Sequence, residues 1–314
     1  MRVPRRVSRL LAERQAYVES SSARLRGVVA KAQDRMLSSL LSEIIPLLAV
    51  DGDVIKDTVG NYRLLSRIDR VYDELAVAAS RPIVQSIGSV TQGISDRAAA
   101  YLQVTLDDVT RSRLESVSEL TRRKMDIRVG VDGRSLVRGG FLETVTKNEP
   151  MKAQLKQFVA QQVTGQSSLR DFTRGFNEIV TGAGEKIGGM EKQFDQFAYD
   201  LYNQYDAAYG LEVANELDLN YFIYQGGLIE ESRDFCREHN NRVYSKEEAE
   251  EWRNWTPSKA INISKFKQKD IYQIPSYIDF PGYEPLIDRG GYNCRHILGW
   301  IPDSMAFQLR PDLK

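Results

Sequence analysis

Cys236, His239, Cys294 and His296 are all the cysteines and histidines in this 314-residue chain. They sit in two short stretches, Ser232-Arg-Asp-Phe-Cys-Arg-Glu-His239 and Gly290-Gly-Tyr-Asn-Cys-Arg-His296. One reads C-x-x-H and the other C-x-H. If the chain brings them together, four N/S side chains converge on one point, the ligand count of a structural zinc site. The same residue types also suit a plain core, with two small apolar cysteines beside two hydrogen-bonded histidines.

Spacing adds detail to the metal reading. With Arg295 in a strand, Cys294 and His296 point to the same side. A C-x-x-H turn likewise offers two side chains to one ion. The loop from Asn240 to Asn293 would then be tied at both ends, which limits its freedom in place of a large core. Asp234 and Asn293 are placed to orient the ligands from behind. A catalytic zinc instead needs an open coordination position and a base. Glu238 and Asp234 are the nearest carboxylates, so a metal-dependent hydrolase or nuclease is the rival. Four protein ligands would close such a site, and the chain has no H-E-x-x-H motif. A Cys–His nucleophile is a further rival, but neither cysteine reads as the start of a clear helix that would depress its pKa. Arg233, Arg237 and Arg295 crowd the same stretches. They suit a carboxylate, a phosphate or DNA, or they hold the loops by bonding backbone carbonyls or Asp234.

Composition narrows the partners. Lys+Arg and Asp+Glu are both 43, so the formal charge is zero. That argues against a broad nucleic-acid or membrane footprint, although a local basic patch and a limited DNA contact stay open. Hydrophobic residues make up 42% and charged residues 27%, ordinary for a globular protein. No apolar run has the length of a membrane span. The basic start, MRVPRRVSRLLAERQ, lacks the apolar core of a signal peptide. Two cysteines flanked by histidines suit a reducing compartment better than a disulfide scaffold.

The elements that must position the four side chains are mostly helical. Residues 5–50 carry an amphipathic pattern that Pro46 should kink or end. The Asp51-Gly-Asp53 stretch reads as a turn or cap. A second helix is expected over 61–80, broken at Arg81-Pro82, and a third over 83–126, with possible breaks at Gly88 and Gly93. Gly and Asp cluster over 129–140, which marks a boundary. Two helices follow, one after Asn148-Glu-Pro150 and one from Ser168. The glycine-rich run from Thr181 to Gly189 lacks phosphate-loop spacing and reads as a connector. Residues 190–219 form another helix, with Phe194, Phe197, Leu201, Tyr205, Ala208 and Leu211 on one stripe. Tyr199, Tyr202 and Tyr209 lie off that stripe and face either a partner or the N-terminal helices of the same chain. The run 220–226 is aromatic and β-branched, hence a strand. Arg242-Val-Tyr244 reads as a second strand, Ser245-Lys-Glu-Glu248 as a capping box, and Ile297–Pro302 as a closing strand. Residues 256–289 show little period. The expected fold is therefore mainly α. It has a long-helix N-terminal region (1–128), a helical middle (129–220), and a small α+β module (221–314) around the Cys/His cluster.

The order Tyr224-Gln-Gly-Gly227, SRDFC, Arg242-Val-Tyr-Ser-Lys-Glu-Glu248, Trp252 and GGYNCRH resembles the C-terminal region of the phage Mu F-like minor head proteins, also called head morphogenesis proteins. The resemblance covers about residues 148–302 and is weak before them. The family's common form has a C-x-x-C pair and a later His-Pro-x-Cys-Arg-Cys stretch. Here the second member of each pair is His239 or His296, and Tyr292-Asn293 stand where the His-Pro often lies. Zinc accepts either ligand type. The resemblance implies a non-enzymatic, structural protein of a tailed bacteriophage head, assembled in the host cytoplasm and carried in the virion. It also implies association with the portal protein and other head proteins at the portal vertex, in several copies. The amphipathic, charge-rich N-terminal helices would make those contacts.

Overall fold

The computed structural model of the chain describes residues 3–106, 111–125, 147, 149–183, 186–187, 189–230, 232–255, 283–291 and 294–314. The fold is mainly α. Helices α1 (Arg5–Ile44), α2 (Val59–Thr105), α3 (Arg111–Lys124), α4 (Glu149–Thr164), α5 (Leu169–Thr181) and α6 (Gly189–Glu216) precede a small α+β region. Two compact units emerge, each built from separated segments. The first comprises Met1–Ser22, Val90–Met125 and Tyr199–Lys314; the second comprises Ala23–Ser89 and the described part of Asp126–Ala198. The expected boundary near 129 lies outside the described residues. Near 220 the expected division falls between α6 and the first strand of the C-terminal module; the part of α6 from Tyr199 onward and that strand lie in the first unit.

The long helices follow from a sustained apolar stripe. In α1, Val7, Leu11, Val18, Leu25, Val29, Ala32, Met36, Leu40 and Ile44 are all buried. They recur at three, four or seven residues and so share one face. Pro46 ends the pattern, in a 3-10 turn over Ile45–Leu47. Pro82 does not: α2 runs through it without a break. The lost N–H and ring clash cost about 3 kcal/mol, but Tyr72 and Ala76 before it and Ile83, Val84, Ile87 and Ile94 after it are buried on one continuous stripe. Each large buried apolar side chain contributes about 1.5–3 kcal/mol, so burial outweighs the break. Gly88 and Gly93 lie within the same unbroken helix. Gly93 is needed there, because a Cβ would collide with the Tyr17 hydroxyl. The expected third helix is divided differently: α2 ends at Thr105 and α3 starts at Arg111.

Within the second unit, the Asp51–Asp53 turn joins a small hairpin, β1 (Val50–Asp51) and β2 (Val54–Ile55). Buried Asn61 holds it, accepting from the Ala49 N–H and donating to the Ala49 and Lys56 carbonyls. Helices α4 and α5 meet through Phe158, Phe172 and Phe176, with Phe158 lying where a Cβ on Gly175 would be. Ser168 caps α5 by accepting from the Asp171 N–H. The described part of the glycine-rich connector forms a short antiparallel pairing of β3 (Gly182–Ala183) with β4 (Lys186–Ile187). The side chains of Phe194, Phe197 and Tyr199 lie outside the described residues.

The first unit carries a three-stranded antiparallel sheet with β5 (Tyr221–Gln225) in the centre, β6 (Arg242–Ser245) on one side and β7 (Ile297–Ile301) on the other. The segment between β5 and β6 contains α7 (Asp234–His239). After β6 come α8 (Lys246–Glu250), capped by the reciprocal Ser245/Glu248 box, and later α9 (Pro285–Asp288). The chain finishes with α10 (Asp303–Leu309) and a 3-10 turn. Gly299 on β7 admits Leu11 of α1 and Tyr101 of α2, whose atoms lie 2.6 and 3.0 Å from where a Cβ would stand. Tyr202 and Tyr209 of α6 are buried in the chain itself, and the Tyr209 hydroxyl donates to the Leu114 carbonyl at 3.4 Å. Among the described residues, no helix is long and apolar enough to cross a membrane.

Candidate metal centre

The two Cys/His stretches meet beside the central strand. Residue parity explains the approach: Phe222 and Tyr224 on β5 share a face with Trp300 and Leu298 on β7, their register partners. Counting back from β7 by twos reaches His296 and Cys294. Both are buried, while Arg295 between them is exposed. Cys236 comes from α7, whose six residues also bury Phe235 and His239. This helix is too short to show a period in the sequence. Trp252 then closes the cluster. Its ring stands edge-on to Phe222, Tyr224, Phe235, His239 and Tyr244, a packing mode that aromatic rings prefer.

Three of the four expected ligands converge. The donor atoms of Cys236, Cys294 and His296 all lie within 4.8 Å of one another. The two sulfurs are 4.0 Å apart, and Cys294 Sγ is 3.9 Å from His296 Nδ1. Both cysteines are free thiols. His239 stands outside this group: its Nδ1 is 2.7 Å from the Phe235 carbonyl oxygen, and its ring stacks on Phe235 at 4.0 Å. Since a carbonyl can only accept, Nδ1 carries the proton and Nε2 keeps its lone pair, but His239 is not among the side chains whose donor atoms lie within 4.8 Å of one another.

Two glycines make the approach possible. A Cβ on Gly290 would lie 2.8 Å from Cys236 Sγ and 3.2 Å from both Cys294 Sγ and the Tyr224 hydroxyl. A Cβ on Gly226 would press on the His296 ring at 2.7 Å. Neighbouring Arg289 adopts φ 53°, a conformation that non-glycine residues hold only when their contacts require it. Its buried guanidinium donates to the His296 carbonyl at 2.5 Å and to the Asn203 carbonyl of α6 at 3.1 Å. The segment carrying Cys294 and His296 is thereby fastened to α6.

Electrostatics separate the two thiols. A hydrogen bond from Cys236 holds Cys294 well below the usual thiol range despite burial, with help from His296. The same bond, together with burial, pushes Cys236 up. Metal binds the thiolate form of a cysteine. Burial lowers His239 from its ordinary 6.5.

The other expected site residues have definite places. Arg233 donates to the Gly290 carbonyl at 2.6 Å, linking the two stretches. Arg237 donates to the carbonyls of Ser232, Ile229 and Glu230. These contacts are those of arginines that hold loops. Asp234 lies in the first turn of α7. Glu238, the expected base of the hydrolase reading, accepts from Trp255 Nε1 at 3.2 Å. Asn293 lies outside the described residues, as do residues 256–282 of the long irregular segment.

Residue types alone do not single out Tyr224. Its hydroxyl lies 3.3 Å from Cys294 Sγ and 3.6 Å from Cys236 Sγ, and its ring stacks on His296 at 4.7 Å. The available signal is strand parity, which puts position 224 on the same face as 294 and 296. Arg289 and Gly290 are equally silent in the sequence, because their roles depend on backbone approach.

Two sulfurs and an imidazole nitrogen at this separation suit a soft or borderline divalent ion such as zinc. Cys236, Cys294 and His296 would hold it, linking α7 to the entry of β7. No protein-family model matches the chain, and no curated protein or solved structure matches it.

Proposed function

We propose that this chain is a structural minor head protein of a tailed bacteriophage, associated with the portal vertex during capsid assembly. Its C-terminal module is fastened by zinc. The observation carrying the metal part is the buried Cys236–Cys294–His296 group, which joins sequence segments 58 positions apart. The head-protein part is supported by the motif order of the resemblance, from Tyr224 through Trp252 to the GGYNCRH stretch.

The chemistry around the group favours fastening over catalysis. All three donors are buried. Glu238, the carboxylate a hydrolase would need as its base, is bonded to Trp255. The metal, once bound, supplies coordination bonds between α7 and β7, and the surrounding arginines brace the same loops. Contacts with portal and neighbouring head proteins fall to the charged faces of the N-terminal helices. At the hairpin end of the second unit, Leu47, Val50, Val54, Val59 and Tyr62 are also exposed, as suits a protein that is covered in an assembly.

Residues 1–22 and 90–125 share a compact unit with the C-terminal module, so the functional test needs the full chain. Heads assembled with and without it can be imaged by electron cryomicroscopy. Density for the chain at the portal vertex is expected; heads that assemble normally and never contain it would overturn the assignment.

A further inference from the structure

We infer that Tyr224 is the fourth metal ligand, completing a closed site of two thiolates, one imidazole and one phenolate. This deepens the zinc reading above and rests on it.

In a tetrahedral zinc site with the usual bond lengths, two sulfur ligands lie about 3.8 Å apart, and a sulfur and a nitrogen or oxygen ligand about 3.5 Å apart. The chain holds Cys236 Sγ and Cys294 Sγ at 4.0 Å, and Cys294 Sγ and His296 Nδ1 at 3.9 Å. The Tyr224 oxygen lies 3.6 Å from one sulfur and 3.3 Å from the other. Each separation is within a few tenths of an ångström of a tetrahedral edge. These four edges set the hydroxyl at ligand distance from both sulfurs, and the remaining cysteine–histidine edge is no longer than 4.8 Å.

Position and restraint agree with this role. Tyr224 is fully buried on the central strand, its ring held between His296, Phe235 and Trp252. Gly290 leaves room for the hydroxyl, since a Cβ there would approach it at 3.2 Å. The residue expected from sequence in fourth place, His239, lies outside the group of donor atoms within 4.8 Å of one another. A bound cation is the largest local charge and favours the phenolate, the hydroxyl proton passing to solvent.

The test uses the full-length protein under reducing conditions, loaded with Co(II) as a spectroscopic substitute for zinc. Tyr224→Phe removes the hydroxyl and keeps the ring stack. The wild-type Co(II) spectrum should be tetrahedral, with sulfur charge-transfer bands, and insensitive to azide. Tyr224→Phe should bind metal at least tenfold more weakly, and added azide should shift its spectrum because the fourth position is open. His239→Ala should behave as wild type. A wild-type spectrum that moves with azide, an azide-insensitive Tyr224→Phe, or a site opened by His239→Ala would each overturn the tyrosine assignment while leaving the metal reading intact. Failure of the wild type to take up Co(II) or zinc at all would instead remove the metal reading itself, and this inference with it.

Discussion

Arg14 on α1 and Asp206 on α6, 192 positions apart, form a buried ion pair in which Nε lies 2.5 Å from Oδ1. Both side chains are almost wholly withdrawn from solvent, at 3% and 1% exposure. The guanidinium also donates to the Asp206 backbone carbonyl at 3.1 Å. The pair joins the start of the chain to the helix that Arg289 grips from the metal-centre side. Removing one partner of such a pair leaves an uncompensated buried charge, which costs about 3–5 kcal/mol. Asp206→Ala should therefore lower the unfolding free energy by that amount in urea titrations. A loss below about 1 kcal/mol would put the pair among weak, solvated contacts.

Gly290 tests the packing of the centre. Alanine there places a methyl group 2.8 Å from Cys236 Sγ, so the sulfurs must part or the backbone must shift. Overpacking of this kind costs about 1–3 kcal/mol. Gly290→Ala should lower both stability and zinc affinity, read by thermal unfolding and chelator competition. Unchanged values in both would show that the glycine is not what lets the two stretches close.

His239 gives a pH prediction. Burial lowers its pKa in the fold below the ordinary 6.5, so the unfolded chain takes up its proton first as pH falls. Between 6.5 and the lower folded value, the unfolded state binds more protons, and stability rises with pH. The contribution is complete above the unfolded value and is lost as acid carries the solution down through the folded one. Histidine NMR titration should give His239 an apparent pKa below 6.5; a value at or above it would contradict the burial.

The Arg310–Glu248 fork offers a milder test. Arg310 meets both carboxylate oxygens, at 2.8 and 2.6 Å, and also donates to the Val243 carbonyl on the edge strand β6. Glu248 accepts from the Ser245 N–H as part of the α8 cap. Both side chains are about one-third exposed, so screening limits the pair. Arg310→Ala should cost about 1 kcal/mol, and hydrogen exchange should quicken in β6 and α8 but not in β5. Uniform exchange across the sheet would place the arginine's effect elsewhere.

Much of this architecture can be read from periodicity. The apolar stripe from Val7 to Ile44, the short aromatic strand 221–225 and the Ser245 capping box are local patterns, and the fold keeps them. What cannot be read depends on distant partners. Pro82 looks like a helix breaker until both flanks are seen to bury one stripe. The first compact unit puts residues up to Ser22 together with α6 from Tyr199 onward and the C-terminal module, through contacts such as Arg14–Asp206, which no window of sequence contains. At the centre, residue types pick out Cys236, Cys294 and His296. Spacing alone gives His239 the same standing, whereas the fold leaves it outside the close donor group and strand parity sets the Tyr224 hydroxyl beside both sulfurs.

The central claim is that the Cys236–Cys294–His296 group binds a metal that fastens the C-terminal module. Elemental analysis of the full-length protein, purified under reducing conditions with zinc supplied and then dialysed, tests it most directly. About one zinc per chain is expected, reduced to background in Cys294→Ser. Wild-type protein with no bound metal, and a melting temperature that a chelator leaves unmoved, would contradict it.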